Sequence, residues 1–155
     1  MNVYLDSSFV IRLLLGVRPE CLFWGKWEKA YASTMMRTEC FRAANLLRLS
    51  GKIDDAQRAR LGAWIEKVVS SVTLVPVTDA ILHRAAETFP ISVGTLQGIH
   101  LATLLELQAA RGITCSVATD DTQLLQAATA LGFVEAVAEP EQQEEPVEPS
   151  ATPST

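Results

Sequence analysis

Three carboxylates carry the chemistry this sequence can offer: Asp6 in NVYLDSS, Glu39 in RTECFRAA and Asp121 in SVATDDTQLL. Asp6 and Asp121 each follow a short apolar run that reads as a buried parallel strand. Acids at the carboxyl ends of such strands stand where open α/β sheets build their sites. Three acids meeting there would form an oxygen site suited to Mg²⁺ or Mn²⁺. Each residue also has a plainer reading. An Asp after a strand serves as a helix cap, and Asp120 reads as a surface or capping residue. Arg42, three residues after Glu39, can simply pair with it across a helical turn. Glu39, on a largely apolar helix face, is the hardest of the acids to explain as a solvated side chain.

The elements that would position these acids alternate between strand and helix. Residues 1–5 read as a strand. SSFVIRLLLG continues as a short apolar helix ending near Gly16, with Ser7 or Ser8 as its cap. ECLFWGKWEKA at 20–30 reads as a short helix and AYAS at 30–33 as a strand. Helices follow over about 34–50 and 53–70. Phe41, Ala44 and Leu47 share the apolar face of the first, and Leu61, Trp64, Ile65 and Val68 that of the second. VTLVPV at 72–77 is a strand candidate, and Asp79 begins a helix to about Thr88. Residues 95–110 form the most apolar helix of the chain. ITCSVAT at 113–119 is the clearest buried strand, being rich in β-branched and small residues. A helix over 121–131 is stopped by Gly132, and FVEAVA adds a last edge strand. Such alternation implies an α/β fold, a mostly parallel central sheet flanked by helices.

Composition narrows the function classes. The 155 residues are 48% hydrophobic and 20% charged, enough for one domain with a real core. No apolar run reaches the roughly 18–20 residues of a membrane span. The N-terminus lacks the basic region of a signal peptide. Cys21, Cys40 and Cys115 fit neither a zinc pattern nor a disulfide framework, and read as reduced, buried thiols in a cytoplasm. The net charge of −5 is uneven: residues 135–155 hold six Glu and no Lys or Arg, while residues 1–67 hold 11 bases against 7 acids. A mildly basic half allows contact with phosphates. Residues 138–155, rich in Pro and Glu, cannot bury enough apolar area to order themselves and read as a disordered tail after a domain at 1–137. The tail either solubilises the domain, or binds a partner or masks the domain's own basic residues.

With these segments in place, the chain resembles the PIN domain family, and more narrowly its VapC-type toxin ribonucleases. The likeness rests on VYLDSS, on Ser33, Glu39 and Arg42 in S-x₅-E-x₂-R, on LQGIHLATLLEL and on VATDDTQL, in that order. It implies a three-layer α/β/α fold and a divalent-metal-dependent endoribonuclease acting on single-stranded or structured RNA. It also implies an antitoxin protein as partner and a homodimer. By the same likeness Asp6, Glu39 and Asp121 are catalytic and, with Gln97, hold Mg²⁺ or Mn²⁺, while Ser8, Arg42 and Thr119 support them. Gln97 departs from the family, whose pattern there is usually LDAIHLA with an acid in its place. Gln offers a carbonyl oxygen but no charge, so the site holds three formal negative charges in place of four.

Two other functions stay open at this stage. A PIN fold with impaired catalysis could serve as an RNA-binding or protein-interaction module, as Gln97 suggests. A receiver-like domain would use one strand-end Asp as phosphoacceptor, but it leaves Glu39 without a role. His100 reads as a satisfied core histidine rather than a general base, and His83 as a surface residue. Trp24, Trp27 and Trp64 read as core or helix–helix contacts. If exposed, they could stack bases or anchor a partner helix.

Overall fold

The computed structural model describes residues 1–16 and 25–136. Four parallel strands form one sheet: β1 (Asn2–Leu5), β2 (Lys29–Ser33), β3 (Thr73–Val75) and β4 (Ser116–Ala118), in the order β3-β2-β1-β4. Tyr4 at the centre is opposite Tyr31 on one side and Val117 on the other. Among the described residues six helices cover the sheet: α1 (Ser7–Leu14), α2 (Met35–Leu49), α3 (Asp55–Ser71), α4 (Asp79–Ala85), α5 (Thr95–Arg111) and α6 (Thr122–Ala130).

The two-residue period of a strand divides the core into two layers. Val3, Leu5, Ala30 and Ala32 pack with Phe9, Met36, Cys40, Leu61 and Ile65 from α1, α2 and α3. Tyr4, Tyr31 and Val117 face the other way, against Ile81, Leu101, Leu104, Leu107 and Leu124 from α4, α5 and α6. The chain is thus the three-layer α/β/α sandwich expected from its alternating pattern. It winds outward through β1, β2 and β3, then returns past β1 to lay down β4. The winding direction therefore reverses between β1 and β4, where such sheets open a crevice at their carboxyl ends.

Several local readings are corrected. Residues 25–28 are turn and bend rather than helix, and β2 starts at Lys29 because Lys29 pairs with Asn2. Residues 17–24, with Cys21 and Trp24, lie outside the described residues. β3 stops at Val75 because Pro76 has no N–H to give a ladder; Thr34 N–H still bonds the Val75 carbonyl at 3.0 Å. FVEAVA contributes one parallel bridge, Glu135 to Val117, rather than a full strand. The cap of α1 is Asp6 rather than Ser7 or Ser8. Trp64 is 54% exposed instead of joining the core, with the Lys67 ammonium 5.2 Å from its ring centre, whereas Trp27 packs against the first layer. The segment expected to form a tail lies outside the described residues. Among the described residues no helix is long and apolar enough to cross a membrane.

Candidate metal centre

Asp6 leaves the end of β1 in an extended conformation and caps α1, so its carboxylate is fixed by local chain geometry. Its two oxygens have different tasks. Oδ2 accepts from the Ser8 amide at 3.1 Å, from the Ser8 hydroxyl, and from the Thr119 hydroxyl at 2.9 Å. Ser8 Oγ in turn accepts from the Asp120 amide, and Thr119 Oγ1 from the Asp121 amide, each at 3.0 Å. These bonds stitch the end of β1 to the end of β4 across the crevice. Asp6 Oδ1 is left to face the pocket, where His100 Nε2 lies 3.3 Å away.

The pocket is completed from both helical layers. Glu39 comes from the middle of α2 and His100 from α5. Nε2 of His100 is 3.2 Å from Glu39 Oε2, and Nδ1 is 2.8 Å from the Tyr4 hydroxyl. His100 is only 2% exposed. Burial works to lower its pKa, but the hydrogen bond to Glu39 and the charges of Asp6, Glu39 and Asp121 outweigh it, and the pKa is raised. Tyr4 is held well above the usual phenol value, first by burial and then by Asp6 and Glu39. Cys40, beside Glu39, is pushed up to about 12, by burial first and then by Glu39 and Asp6. Donor atoms of Asp6, Glu39 and His100 lie within 4.8 Å of one another. Two carboxylates and an imidazole that can converge so closely fit a divalent cation.

Asp121 sits beside this group but is otherwise engaged. It caps α6, with Oδ1 accepting from the Gln123 amide at 2.9 Å and the Leu124 amide at 3.0 Å. Oδ2 accepts from Gln97 Nε2 at 2.8 Å. The Gln97 amide therefore presents its N–H₂ end to Asp121; the reverse orientation would set oxygen against oxygen. The cap and site readings of Asp6 and Asp121 do not compete, because each aspartate caps the helix that leaves its strand. A separate cleft of about 660 Å³, lined by Leu82, Ala86, Phe89, Ile91, Val93 and Ile99 among others, brings no such ligand cluster together.

No protein-family model matches the sequence. Ribonuclease VapC47 of Mycobacterium tuberculosis is 28% identical over 141 residues, covering 86% of this chain and 95% of that protein. The crystal structure of Mycobacterium tuberculosis VapC20, described as a sarcin–ricin loop cleaving toxin, superposes with a TM-score of 0.56 at 16% identity, over 86% of this chain and 98% of that one. PAE2754 from Pyrobaculum aerophilum gives 0.54 at 18% identity, over 86% and 83%. The chain has the PIN-domain fold and is similar to VapC ribonucleases.

In this fold the positions read from sequence sort into three groups. Asp6, Glu39, Ser8 and Thr119 come together as expected. Gln97 and Asp121 form their own adjoining pair. Arg42 is exposed, and Glu39 turns to His100 instead. Asp120 is not a surface residue: its side chain is 4% exposed, with Arg12 Nε 3.6 Å away. His100, read from the sequence as a satisfied core histidine, is buried with a partner at each ring nitrogen and lies beside Asp6 and Glu39. The available signal was its spacing, one helical turn after Gln97 on α5, which sends both side chains toward the same end of the sheet.

Proposed function

We propose that this chain is a divalent-metal-dependent endoribonuclease, the toxin of a toxin–antitoxin module, acting on single-stranded or structured RNA. The observation that carries the reading is the meeting of Asp6 and Glu39 with a buried imidazole at the carboxyl ends of β1 and β4, in a chain similar to a VapC ribonuclease. Mg²⁺ or Mn²⁺ is the ion we assign, held by Asp6 and Glu39 with Asp121 beside them. Such an ion supplies a bound water of lowered pKa and positive charge for the scissile phosphate. The protein contributes position. Ser8 and Thr119 hold one Asp6 oxygen so that the other faces the pocket, and Gln97 holds Asp121. Arg12 and Arg42, exposed on the helices that carry Asp6 and Glu39, are suited to meeting RNA phosphates. A homodimer, an antitoxin partner and a cytoplasmic location complete the proposal. The buried free thiols of Cys40 and Cys115 fit a reducing compartment.

The experiment is cleavage of a labelled RNA by the metal-stripped full chain, with Mn²⁺ or Mg²⁺ added back, beside Asp6→Ala. Metal-dependent cleavage lost in the variant supports the reading. A folded protein that binds metal but cuts no RNA at any concentration rejects it. One observation favours a second reading, an impaired domain that binds RNA or protein. Gln97 occupies Asp121 Oδ2, and the α6 amides occupy Oδ1. In that case Gln97→Asp brings activity to an otherwise inert protein.

A further inference from the structure

We propose that His100 Nε2 is itself a metal ligand, so that the ion is held by a mixed set of one imidazole nitrogen and carboxylate oxygens from Asp6 and Glu39. This rests on the reading of the pocket as a metal site, and it changes the character of that site. In an oxygen-only centre the imidazole would be a bystander. Here it occupies the middle of the cluster, and three features of its setting point to ligation.

The first is spacing. With bonds of about 2.1 Å, two ligands are about 3.0 Å apart along an octahedral edge and about 3.4 Å apart along a tetrahedral one. Nε2 stands 3.3 Å from Asp6 Oδ1 and 3.2 Å from Glu39 Oε2, within that window. The three donor groups offer atoms that all lie within 4.8 Å of one another, so one ion can draw them together. The second is the state of the carboxylate oxygens. Asp6 spends Oδ2 on three donors and keeps Oδ1 for the pocket. Glu39 Oε2 is buried and, although close to Nε2, accepts no hydrogen bond. A buried carboxylate oxygen left in this way calls for a cation.

The third is the far side of the ring. Metal-bound histidines almost always fix their second nitrogen through a hydrogen bond, which sets tautomer and orientation. Nδ1 of His100 meets the Tyr4 hydroxyl at 2.8 Å. With Nδ1–H donating to the Tyr4 hydroxyl, the Nε2 lone pair is left for an ion. The proton that Nε2 carries in the metal-free protein passes to solvent when the ion binds. Tyr4 belongs to β1, so the strand that delivers Asp6 also sets the angle of the imidazole.

A nitrogen donor shifts preference. Mg²⁺ favours oxygen ligands and retains its waters, whereas imidazole suits later divalent ions, with affinity rising from Mn²⁺ towards Zn²⁺. This chain lacks the acid that would have stood at Gln97, and the imidazole adds a strong neutral donor where a charge is missing.

The test is pulsed electron paramagnetic resonance of the full-length, metal-stripped protein loaded with one equivalent of Mn²⁺. The expected spectrum shows a directly bound ¹⁴N, replaced by a ¹⁵N pattern when the protein is made with ¹⁵N-histidine. Only two histidines are present, and His83 is exposed on α4, so His100→Gln identifies the source by removing the signal. The same variant should lower Mn²⁺ affinity by about 10–100-fold and Mg²⁺ affinity much less. The wild-type spectrum decides the matter even if His100→Gln fails to fold. Mn²⁺ bound in an Asp6-dependent manner without nitrogen coupling overturns this proposal while leaving the nuclease reading intact. Absence of Mn²⁺ binding overturns both.

Discussion

Ser8→Ala tests how the fold aims the Asp6 carboxylate. The variant removes one hydroxyl and nothing else, yet that hydroxyl has three partners, Thr119 Oγ1 at 3.3 Å among them. It donates to Asp6 Oδ2 and accepts from the Asp120 amide at 3.0 Å. A hydrogen bond to a charged acceptor contributes about 1.5–3 kcal/mol, and a buried amide left without an acceptor costs about 1–3 kcal/mol. The site is half-buried, so water can replace part of both, and the expected destabilisation is about 2–4 kcal/mol. Urea unfolding at neutral pH measures it as a lower midpoint with an unchanged slope. Mn²⁺ affinity should fall by about 10–100-fold, the usual penalty for losing a residue that orients a ligand. Thr119→Val removes another donor to the same oxygen. Because the two hydroxyls share one acceptor, the double variant should differ from the sum of the singles by at least about 0.5 kcal/mol. A Ser8→Ala loss below about 0.5 kcal/mol with metal affinity unchanged would falsify the reasoning, since the Asp6 carboxylate would then be held by something else.

Three further outcomes are expected. Gln97→Asp removes the donor to Asp121 Oδ2 and sets two carboxylates side by side, so the metal-free protein should melt lower while the rise in melting temperature on adding Mn²⁺ grows; a smaller rise than in wild type would show that position 97 does not reach the ion. Gly98→Ala places a Cβ 3.1 Å from the Ala85 carbonyl oxygen, where crowding of about 1–3 kcal/mol outweighs the roughly 1 kcal/mol that Ala gains over Gly in a helix; a stabilised variant in thermal denaturation would contradict the close approach of α4 and α5. Burial pushes the Cys115 thiol up from 9.0 to about 11, so the folded chain keeps a proton that the unfolded chain releases. The stability from this proton is complete below pH 9 and fades as pH rises toward 11, and Cys115→Ala should flatten that part of the urea midpoint profile relative to wild type.

The sequence announced the parts of the fold that depend on short-range pattern. Strand-end acids, the apolar run of α5 and the β-branched segment before Thr119 all follow from period and residue type, and each appears where expected. The misreadings come from partners that no local window contains. Lys29 joins β2 because Asn2 lies opposite, although its own segment looks helical. Trp64 falls outside the core because α3 buries a narrow stripe of Leu61, Ile65 and Val68, and Trp64 lies off that line. His100 looks like any buried residue of an apolar helix until α2 and β1 bring Glu39 and Asp6 to it. Only the structure shows that the Gln97 amide is spent on Asp121.

Gln97 and His100 have complementary effects on the charge of the crevice. Metal-free carboxylates gathered at one sheet end repel one another, and each needs a partner if the pocket is to stay closed. Asp121 receives an amide from Gln97 and two backbone amides at the start of α6, whereas Asp6 and Glu39 share the imidazole. All of these groups except the α6 amides hang from the first turns of α5, whose N-terminus carries the positive end of the helix dipole. The position of α5 is therefore what allows the acids to assemble without an ion. Gly98 sets that position, because its missing Cβ lets α5 lie against the Ala85 carbonyl. Gly94 leaves the space that Gln97 Oε1 fills, since a Cβ there would stand 2.7 Å from that atom. The Gln97–Gly98 pair thus reads as one packing solution: a neutral side chain that satisfies Asp121, followed by a glycine that lets α5 carry His100 close to Asp6 and Glu39.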